Sequence, residues 1–213
     1  MHQQFPMPAN FNTIAPVYDQ LSFLVYGKKL IDAKEAFLDL IPENSRILLM
    51  GGGTGNILND LLTKKLSAII DYIEPSERMV SIAKKNLKND FKSKVNFICG
   101  DEHSIPEGVQ YNVCTSFFVM DCFTQQHALE FARKITSQVI LEGMWLFADF
   151  FGTGKASHRM LIHFMYRFFK IVSNIETNIL PEYEKIFQKC GFTQTMEKPF
   201  MNGLVKSLVL KRN

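Results

Sequence analysis

The stretch RILLMGGGTG, residues 46–55, passes from a continuous apolar run directly into a glycine cluster. A short, unbroken apolar run is typical of a strand that is covered on both faces. The glycines that follow permit a tight turn and let a ligand approach the backbone without an intervening Cβ. Because residues 57–66 carry a helical pattern, this stretch predicts a strand, a glycine turn and a helix in succession.

The same alternation continues toward the carboxyl terminus. Further strands are predicted at 67–73, 95–99, 111–117 and 144–150, and helices at 76–90 and 125–140, the first of them capped by Ser76. Strands that are separated by helices pair in parallel through right-handed crossovers. The pattern therefore predicts an α/β fold with an open, doubly wound sheet.

The two ends of the chain depart from this alternation. Residues 10–41 are predicted to be helical, with one apolar face formed by Ala33, Phe37, Leu40 and Ile41. After 153, an aromatic-rich helix is expected at 156–173 and a last helix at 181–190. Strands at 192–197 and 204–210 follow, and Asn202-Gly203 between them predicts a hairpin.

Composition limits the class of protein. The chain has 213 residues, 46% hydrophobic and 21% charged, and contains no linker or repeat. We therefore expect one domain spanning 1–213, with an N-terminal helical cap at 1–42 and a helical insertion at 153–180. The net charge of +3 is too small to indicate nucleic acid as the main partner, and the sequence lacks an Asn/Asp-Pro-Pro-aromatic motif.

Cysteine spacing and hydropathy bear on location. The four cysteines show no metal-binding or redox spacing, which favours reduced thiols in a cytoplasmic protein. The first twelve residues contain no apolar run that could act as a signal peptide. The apolar stretch 160–172 is too short and too polar to cross a bilayer.

Three features fall at predicted strand ends, where ligands bind in open α/β sheets. The first is the glycine turn, which comprises Gly51, Gly52, Gly53 and Gly55. Asn56 stands where a dinucleotide-binding G-x-G-x-x-G motif would require glycine, which disfavours a nicotinamide cofactor. The plain alternative is an ordinary strand-to-helix turn.

The other two features are acidic. Glu74 ends the second strand, where a carboxylate can accept hydrogen bonds from both hydroxyls of a ribose; otherwise it is a solvated acid at a helix start. Asp101 follows the third strand and could accept the exocyclic amine of adenine, or it forms an Asx turn. Met79, on the next helix, either packs against the purine or belongs to the core.

At this point a family resemblance is clear. The segments ILLMGGGTG, IDYIEPSERMVSIAKKN and ICGDEHSIP resemble motifs I, II and III of class I S-adenosylmethionine (SAM)-dependent methyltransferases, and YNVCTSFFVMDCF resembles the strand that follows them. The ending FQKCGFTQTMEKPFMNGLVKSLVLKRN is similar to their last helix and hairpin. The opening FNTIAPVYDQL is similar to the ubiquinone/menaquinone-biosynthesis type, whose substrates are small molecules.

The resemblance implies a seven-stranded, Rossmann-like sheet of order 3-2-1-4-5-7-6, with strand 7 antiparallel, and SAM as the cofactor. It assigns the methionine moiety to the glycine turn, the ribose to Glu74, and adenine to Asp101 with Met79 and Glu102. Tyr18 matches an aromatic residue that closes over the cofactor. The remaining candidate cofactor-binding residues are Pro75 and Phe117.

One position departs from the family pattern. The family usually has an acidic residue two places before the first glycine, where it orders the loop and interacts with the cofactor's ammonium group. This chain has Leu49 there. The loop is therefore fixed in another way, the affinity for SAM is weaker, or the chain is a degenerate member that acts as a non-catalytic binding or regulatory module.

The acceptor side is less defined by sequence. Methyl transfer is an in-line displacement that depends mainly on alignment, with a general base where the acceptor must lose a proton. Candidates for that base are Asp121, Asp149, His158 and His163, and a structural role is open for each. No metal ligands are expected.

The aromatic segment 158–169 has three interpretations. It is a lid over a small apolar or aromatic acceptor, a helix packed on the sheet or in a homodimer, or a face resting on membrane lipid.

Overall fold

The computed structural model describes residues 27–173 and 177–213. Within these ranges the strands are β1 Arg46–Met50, β2 Ile69–Glu74, β3 Val95–Cys99, β4 Tyr111–Phe117, β5 Val139–Phe150, β6 Phe192–Phe200 and β7 Val205–Arg212. They form one sheet in the order β3-β2-β1-β4-β5-β7-β6. The pairs among β1–β5 are parallel, and β7 is antiparallel to both of its neighbours. The expected strand order and the antiparallel β7 are confirmed.

The helices of the described ranges are α1 Lys29–Glu35, α2 Leu58–Lys64, α3 Glu77–Asn86, α4 Gln125–Gln138, α5 Ala156–Ser173 and α6 Tyr183–Lys189. Ser76 caps α3 as predicted, because its hydroxyl accepts the Met79 N–H at 3.2 Å. None of these helices combines the length and the apolar character that spanning a bilayer requires.

Two apolar layers cover the two faces of the sheet. Along β1, Ile47 and Leu49 belong to one layer and Leu48 and Met50 to the other, and all four are buried. Successive side chains of a strand point to opposite faces, so an uninterrupted apolar run is what a doubly covered strand needs. Burying each such side chain stabilises the fold by roughly 1.5–3 kcal/mol. This burial fixes β1 in the sheet and thereby places the glycine turn at its end.

The predicted N-terminal helix is shorter in the structure where it is described. Helix α1 ends at Glu35, and a 3₁₀ turn, Leu38–Leu40, replaces its continuation. Leu40 is 42% exposed, although the helical pattern placed it on the apolar face, and Leu38 is buried instead. The prediction for Leu40 was wrong because a 3₁₀ turn has three residues per turn, which rotates the side chains away from the 3.6-residue face.

The boundary between the fourth helix and the fifth strand also differs from the prediction. Helix α4 ends at Gln138 rather than 140, and β5 begins at Val139 rather than 144. Val139 pairs with Tyr111, and an irregularity in the ladder follows before regular pairing resumes. The pairing partner across the sheet sets this boundary, and local sequence propensity does not reveal it.

The carboxyl-terminal part matches the prediction closely. Helix α5 spans the residues expected for the insertion. Strands β6 and β7 form the predicted hairpin, and its connection places Asn202 and Gly203 at positive φ, as an Asn-Gly turn requires. Strand β7 enters the sheet beside β5, so the hairpin completes the sheet.

Candidate functional site

The parallel strands bring the glycine turn, Glu74 and Asp101 to one edge of the sheet. In the register of the ladder, Met50 lies beside both Ile73 and Ser116, and Glu74 lies beside Cys99. The chain leaving each of these strands therefore emerges at the same edge. This edge is where an open α/β sheet binds its ligands.

The glycine turn bends from β1 toward β2. The Gly51 and Gly52 N–H groups donate to the Ile73 carbonyl at 2.8 and 3.4 Å, and Gly55 donates to the Gly52 carbonyl at 3.1 Å. Gly53 has a φ of +62°, and a Cβ built there would meet no atom within 4 Å. The backbone conformation at Gly53 thus favours glycine, and the backbone faces open space, which suits a turn that a ligand approaches.

Glu74 connects β2 to this turn. Its side chain is buried, with 4% of its surface exposed. One carboxylate oxygen accepts the Gly53 N–H at 2.9 Å, and the other accepts the Ser76 N–H at 3.0 Å. Burial raises the pKa of the Glu74 carboxyl, while the two backbone donors act in the opposite direction. Each oxygen keeps a second lone pair, so both can still accept a hydrogen bond from a ligand.

The third strand end brings Asp101 next to Glu74. The Gly100 N–H donates to the Glu74 carbonyl at 3.1 Å, which fixes the segment that carries Asp101. One carboxylate oxygen of Asp101 accepts the His103 N–H at 3.0 Å. Asp101 therefore forms the Asx turn that was its alternative interpretation, and its other oxygen remains an acceptor for a ligand.

Two further predicted residues lie on the chain that leaves β2. Met79 is buried on the first turn of α3, and Pro75 is exposed directly after the strand. Pro75 directly follows Glu74 in the chain, and Met79 lies five residues after it, on the helix that β2 leads into.

Glu102 has a partner that sequence reasoning missed. Its carboxylate lies 2.9 Å from Nε2 of His127, near the start of α4, and the His127 ring stacks on Phe123 at 3.9 Å between centroids. Although burial opposes ionisation, the His127 hydrogen bond and the nearby histidine charges lower the pKa of Glu102. This contact ties the chain after β3 to the helix after β4 across the site. The only sequence signal was the position of His127 just after the Thr124 cap.

Asp121 and Asp149 come together at the ends of β4 and β5. Asp149 is fully buried, and its carboxylate accepts the N–H groups of Met120, Asp121 and Phe150 at 2.8–3.2 Å. It therefore anchors the chain after β4 to the end of β5. Burial raises the pKa of Asp121 to about 6, and burial together with the Asp121 charge raises that of Asp149.

Two buried aromatic residues lie on β4 and α5, the elements that precede and follow this part of the chain. Phe117 is buried at the end of β4. Tyr166 of α5 is buried, and its hydroxyl donates to the Asp121 carbonyl at 2.9 Å. This hydrogen bond attaches the helical insertion to the strand-end edge.

The two histidine candidates lie on α5 and are not brought together. Nδ1 of His158 is 2.6 Å from the Thr153 hydroxyl, and His163 is exposed. Tyr18 lies outside the described residues. The structure therefore groups the glycine turn with Glu74 and Asp101, and Asp121 with Asp149, but leaves the histidines apart.

The amino-acid sequence is similar to those of known methyltransferases. A sequence profile for a methyltransferase domain matches residues 47–140. A malonyl-[acyl-carrier protein] O-methyltransferase from Priestia megaterium is 28% identical over 155 residues, which are 72% of this chain and 54% of that protein. A carboxy-S-adenosyl-L-methionine synthase from Campylobacter lari is 24% identical over 148 residues, 68% of this chain and 57% of that protein. The chain thus spans little more than half the length of these curated relatives.

Solved structures share the fold. An O-methyltransferase family protein from Burkholderia thailandensis superposes with a TM-score of 0.74 at 13% identity, covering 93% of this chain and 59% of that one. A putative methyltransferase complex with the Trm112 methyltransferase activator from Haloferax volcanii gives 0.70 at 12% identity, covering 97% and 99%. At such identities the likeness establishes the architecture alone.

Proposed function

We propose that this chain is a class I SAM-dependent methyltransferase that transfers a methyl group from SAM to a small acceptor that is apolar or aromatic. The match of residues 47–140 to a methyltransferase domain and the two similar sequences support this proposal. The observation that carries this proposal is the 2.9 Å hydrogen bond from the Gly53 N–H to the Glu74 carboxylate. It joins the glycine turn and the acid of the second strand at a single point beyond the strand ends, where the family's cofactor binds.

The residues present fit the cofactor. The space beside Gly53 is open, so a ligand can approach the backbone there. Glu74 is a buried acceptor whose two oxygens each hold a free lone pair, which matches the two hydroxyls of a ribose. A buried carboxylate that is only partly satisfied gains most from such donors.

Each part of the cofactor has candidate partners. The glycine turn would hold the methionine moiety, and Glu74 would hold the ribose. The candidate residues around adenine are Asp101, Glu102, Met79, Pro75 and Phe117. When bound, SAM supplies a methyl group that is activated by its sulfonium. The chain's residues then have to align the acceptor with that methyl group and exclude water.

On the acceptor side, the acidic pair and α5 are the relevant features. Asp149 accepts three backbone N–H groups and so serves as an anchor. Asp121, whose pKa is near 6, is the better candidate for taking a proton from the acceptor at neutral pH. The aromatic side chains of α5 would cover the acceptor, with residues 153–180 acting as a lid on a single domain of 1–213.

The state of the cysteines bears on where the protein acts in the cell. All four cysteines are unpaired, two of them buried, which suits the reducing conditions of the cytoplasm. We place the protein there, acting on a small molecule as a monomer or homodimer.

The proposal is tested by binding and by product analysis. We expect SAM and S-adenosylhomocysteine to raise the melting temperature at saturating concentration, because both bind the native state. Incubation with methyl-labelled SAM and extract from the source cell should then yield a labelled small molecule that mass spectrometry identifies. The absence of a shift with either ligand would overturn the assignment of the cofactor site.

The competing function is a non-catalytic module that keeps the fold. It is motivated by Leu49, which is buried among apolar residues where the family usually has an acid. Tight SAM binding without any labelled product, across extracts and candidate acceptors, would support this function against the enzymatic one.

A further inference from the structure

The side chain of Tyr72 lies directly beneath the glycine turn. Tyr72 is on β2, two residues before Glu74, so both side chains point to the same face of the sheet. It is fully buried, and its hydroxyl donates a hydrogen bond to the Gly53 carbonyl. The ring packs against Phe97 with centroids 5.0 Å apart, which fixes its orientation.

The turn is shaped to fit this ring. A Cβ added to Gly52 would overlap Tyr72, so only glycine allows the backbone to pass so close to the ring. The sequence feature that was interpreted as room for a ligand is therefore, at Gly52, room for Tyr72. At Gly53 the opposite holds, because a Cβ there would face open space.

Tyr72 and Glu74 together hold both sides of Gly53. The Glu74 carboxylate accepts the N–H of Gly53, and the Tyr72 hydroxyl donates to its carbonyl. The two peptide groups that flank the Gly53 Cα are thus pinned by two side chains of one strand. Since glycine has the largest conformational freedom of any residue, pinning both peptides removes much of that freedom before a ligand arrives.

Leu49 explains why the glycine turn of this chain needs a hydrogen bond from another residue. It is paired in register with Tyr72 across β1 and β2, and it is 2% exposed. The acid that usually orders the turn from this position is absent. The Tyr72 hydroxyl reaches the turn from the neighbouring strand, on the same face of the sheet, and supplies a polar contact that a leucine cannot make.

We propose that Tyr72 is the positioning residue for the cofactor loop, ordering the glycine turn for the methionine moiety of SAM in place of an acidic residue at position 49. This inference rests on the proposed function. Its consequence is that the hydroxyl of Tyr72 contributes to affinity for the amino-acid end of the cofactor, and much less to affinity for the nucleoside.

The test is Tyr72→Phe, which keeps the ring and removes the hydroxyl. Affinities are measured by calorimetry for S-adenosylhomocysteine and for 5′-methylthioadenosine, which lacks the amino-acid end. We expect the Kd of S-adenosylhomocysteine to rise about fivefold to tenfold, as for the loss of one buried hydrogen bond. The Kd of 5′-methylthioadenosine should stay within about twofold, a split that general destabilisation would not produce.

Tyr111→Phe is the matched control. It also removes a buried tyrosine hydroxyl, one that donates to Asp71 at 2.8 Å at the start of β4 on the other face of the sheet. We expect it to lower the melting temperature while leaving both Kd values within about twofold. A parallel loss of affinity in the two variants would show a merely structural role and overturn the proposal.

Hydrogen exchange of the ligand-free protein separates this inference from the proposed function. Tyr72→Phe should speed amide exchange in residues 51–56, whereas Tyr111→Phe should not. If the wild-type protein binds no SAM, the proposed function fails and exchange alone decides the role of Tyr72. If the wild type binds and Tyr72→Phe changes neither affinity nor exchange, the positioning role is refuted while the proposed function stands.

Discussion

At the scale of single residues, the Glu74 carboxylate has two roles. It satisfies the backbone N–H groups of Gly53 and Ser76, and it presents its remaining lone pairs at the candidate ribose position. The first task places the turn relative to α3, since Ser76 also caps that helix. A side chain with fewer acceptor sites cannot perform both tasks.

Glu74→Gln is expected to raise the Kd for SAM at least about tenfold. The amide has one oxygen instead of two, so one backbone N–H faces an NH₂ group, and the charge-assisted bonds to the ribose are lost. Calorimetry measures the change. Glu77→Gln, three residues away on the exposed surface of α3, is the control and should leave the Kd within about twofold. Equal affinity in Glu74→Gln and wild type would remove Glu74 from the cofactor site.

At the scale of elements, α5 is held to the site by a specific contact. The Tyr166 hydroxyl donates to the backbone carbonyl of Asp121, and Met165 beside it is also buried. Phe164 on the same helix is 61% exposed. One face of the helix therefore packs on the protein through Met165 and Tyr166, and the face that carries Phe164 is exposed to solvent. A helix that acts as a lid needs both.

Tyr166→Phe should loosen this attachment. The loss of one hydrogen bond, net about 1 kcal/mol, leaves the Asp121 carbonyl without its donor and should make local opening about five times more frequent. Hydrogen exchange of peptides from 156–168 would show this, with SAM affinity retained. Phe164→Leu changes the open face of the same helix and should leave exchange unaltered. Unchanged exchange in Tyr166→Phe would mean that packing alone holds α5.

At the scale of the whole molecule, the buried acidic pair sets a pH dependence of stability. Burial raises the pKa of Asp121 to about 6 in the folded protein, compared with about 3.9 in an unfolded chain. The folded state therefore holds the proton more tightly. The contribution to stability is fully present below about pH 4 and is lost as the pH rises through about 6. The pKa of Asp149 is raised as well, because burial and the neighbouring Asp121 charge both disfavour its ionised form.

Asp121→Asn is thus expected to melt at a higher temperature than wild type at pH 7.5, and this advantage should shrink at pH 5. Trp145, the single tryptophan, is fully buried among aromatic rings and reports unfolding by fluorescence. Asp90→Asn removes an exposed carboxylate and serves as the control, because either form stays hydrated. A stability difference for Asp121→Asn that is the same at both pH values would contradict this account.

Local sequence patterns were sufficient to predict the order of elements and the strand ends at which the candidate site lies. Apolar runs, caps and the glycine turn are local signals, because they depend on residues a few positions apart. They located β1, the Ser76 cap and the Asn202-Gly203 hairpin correctly. They also marked Leu49 as a departure without showing its consequence.

The contacts between residues on different elements could be seen only in the folded chain. Tyr72 under Gly52, His127 on Glu102 and Tyr166 on Asp121 are separated by 20 to 45 positions in the chain. A single sequence contains no periodicity that pairs such residues, since the contacts arise from strand register and helix docking. Two predictions from local sequence were wrong for a similar reason. Leu40 lies in a 3₁₀ turn instead of an α-helix, and Val139 begins β5 because it pairs with Tyr111 on the neighbouring strand.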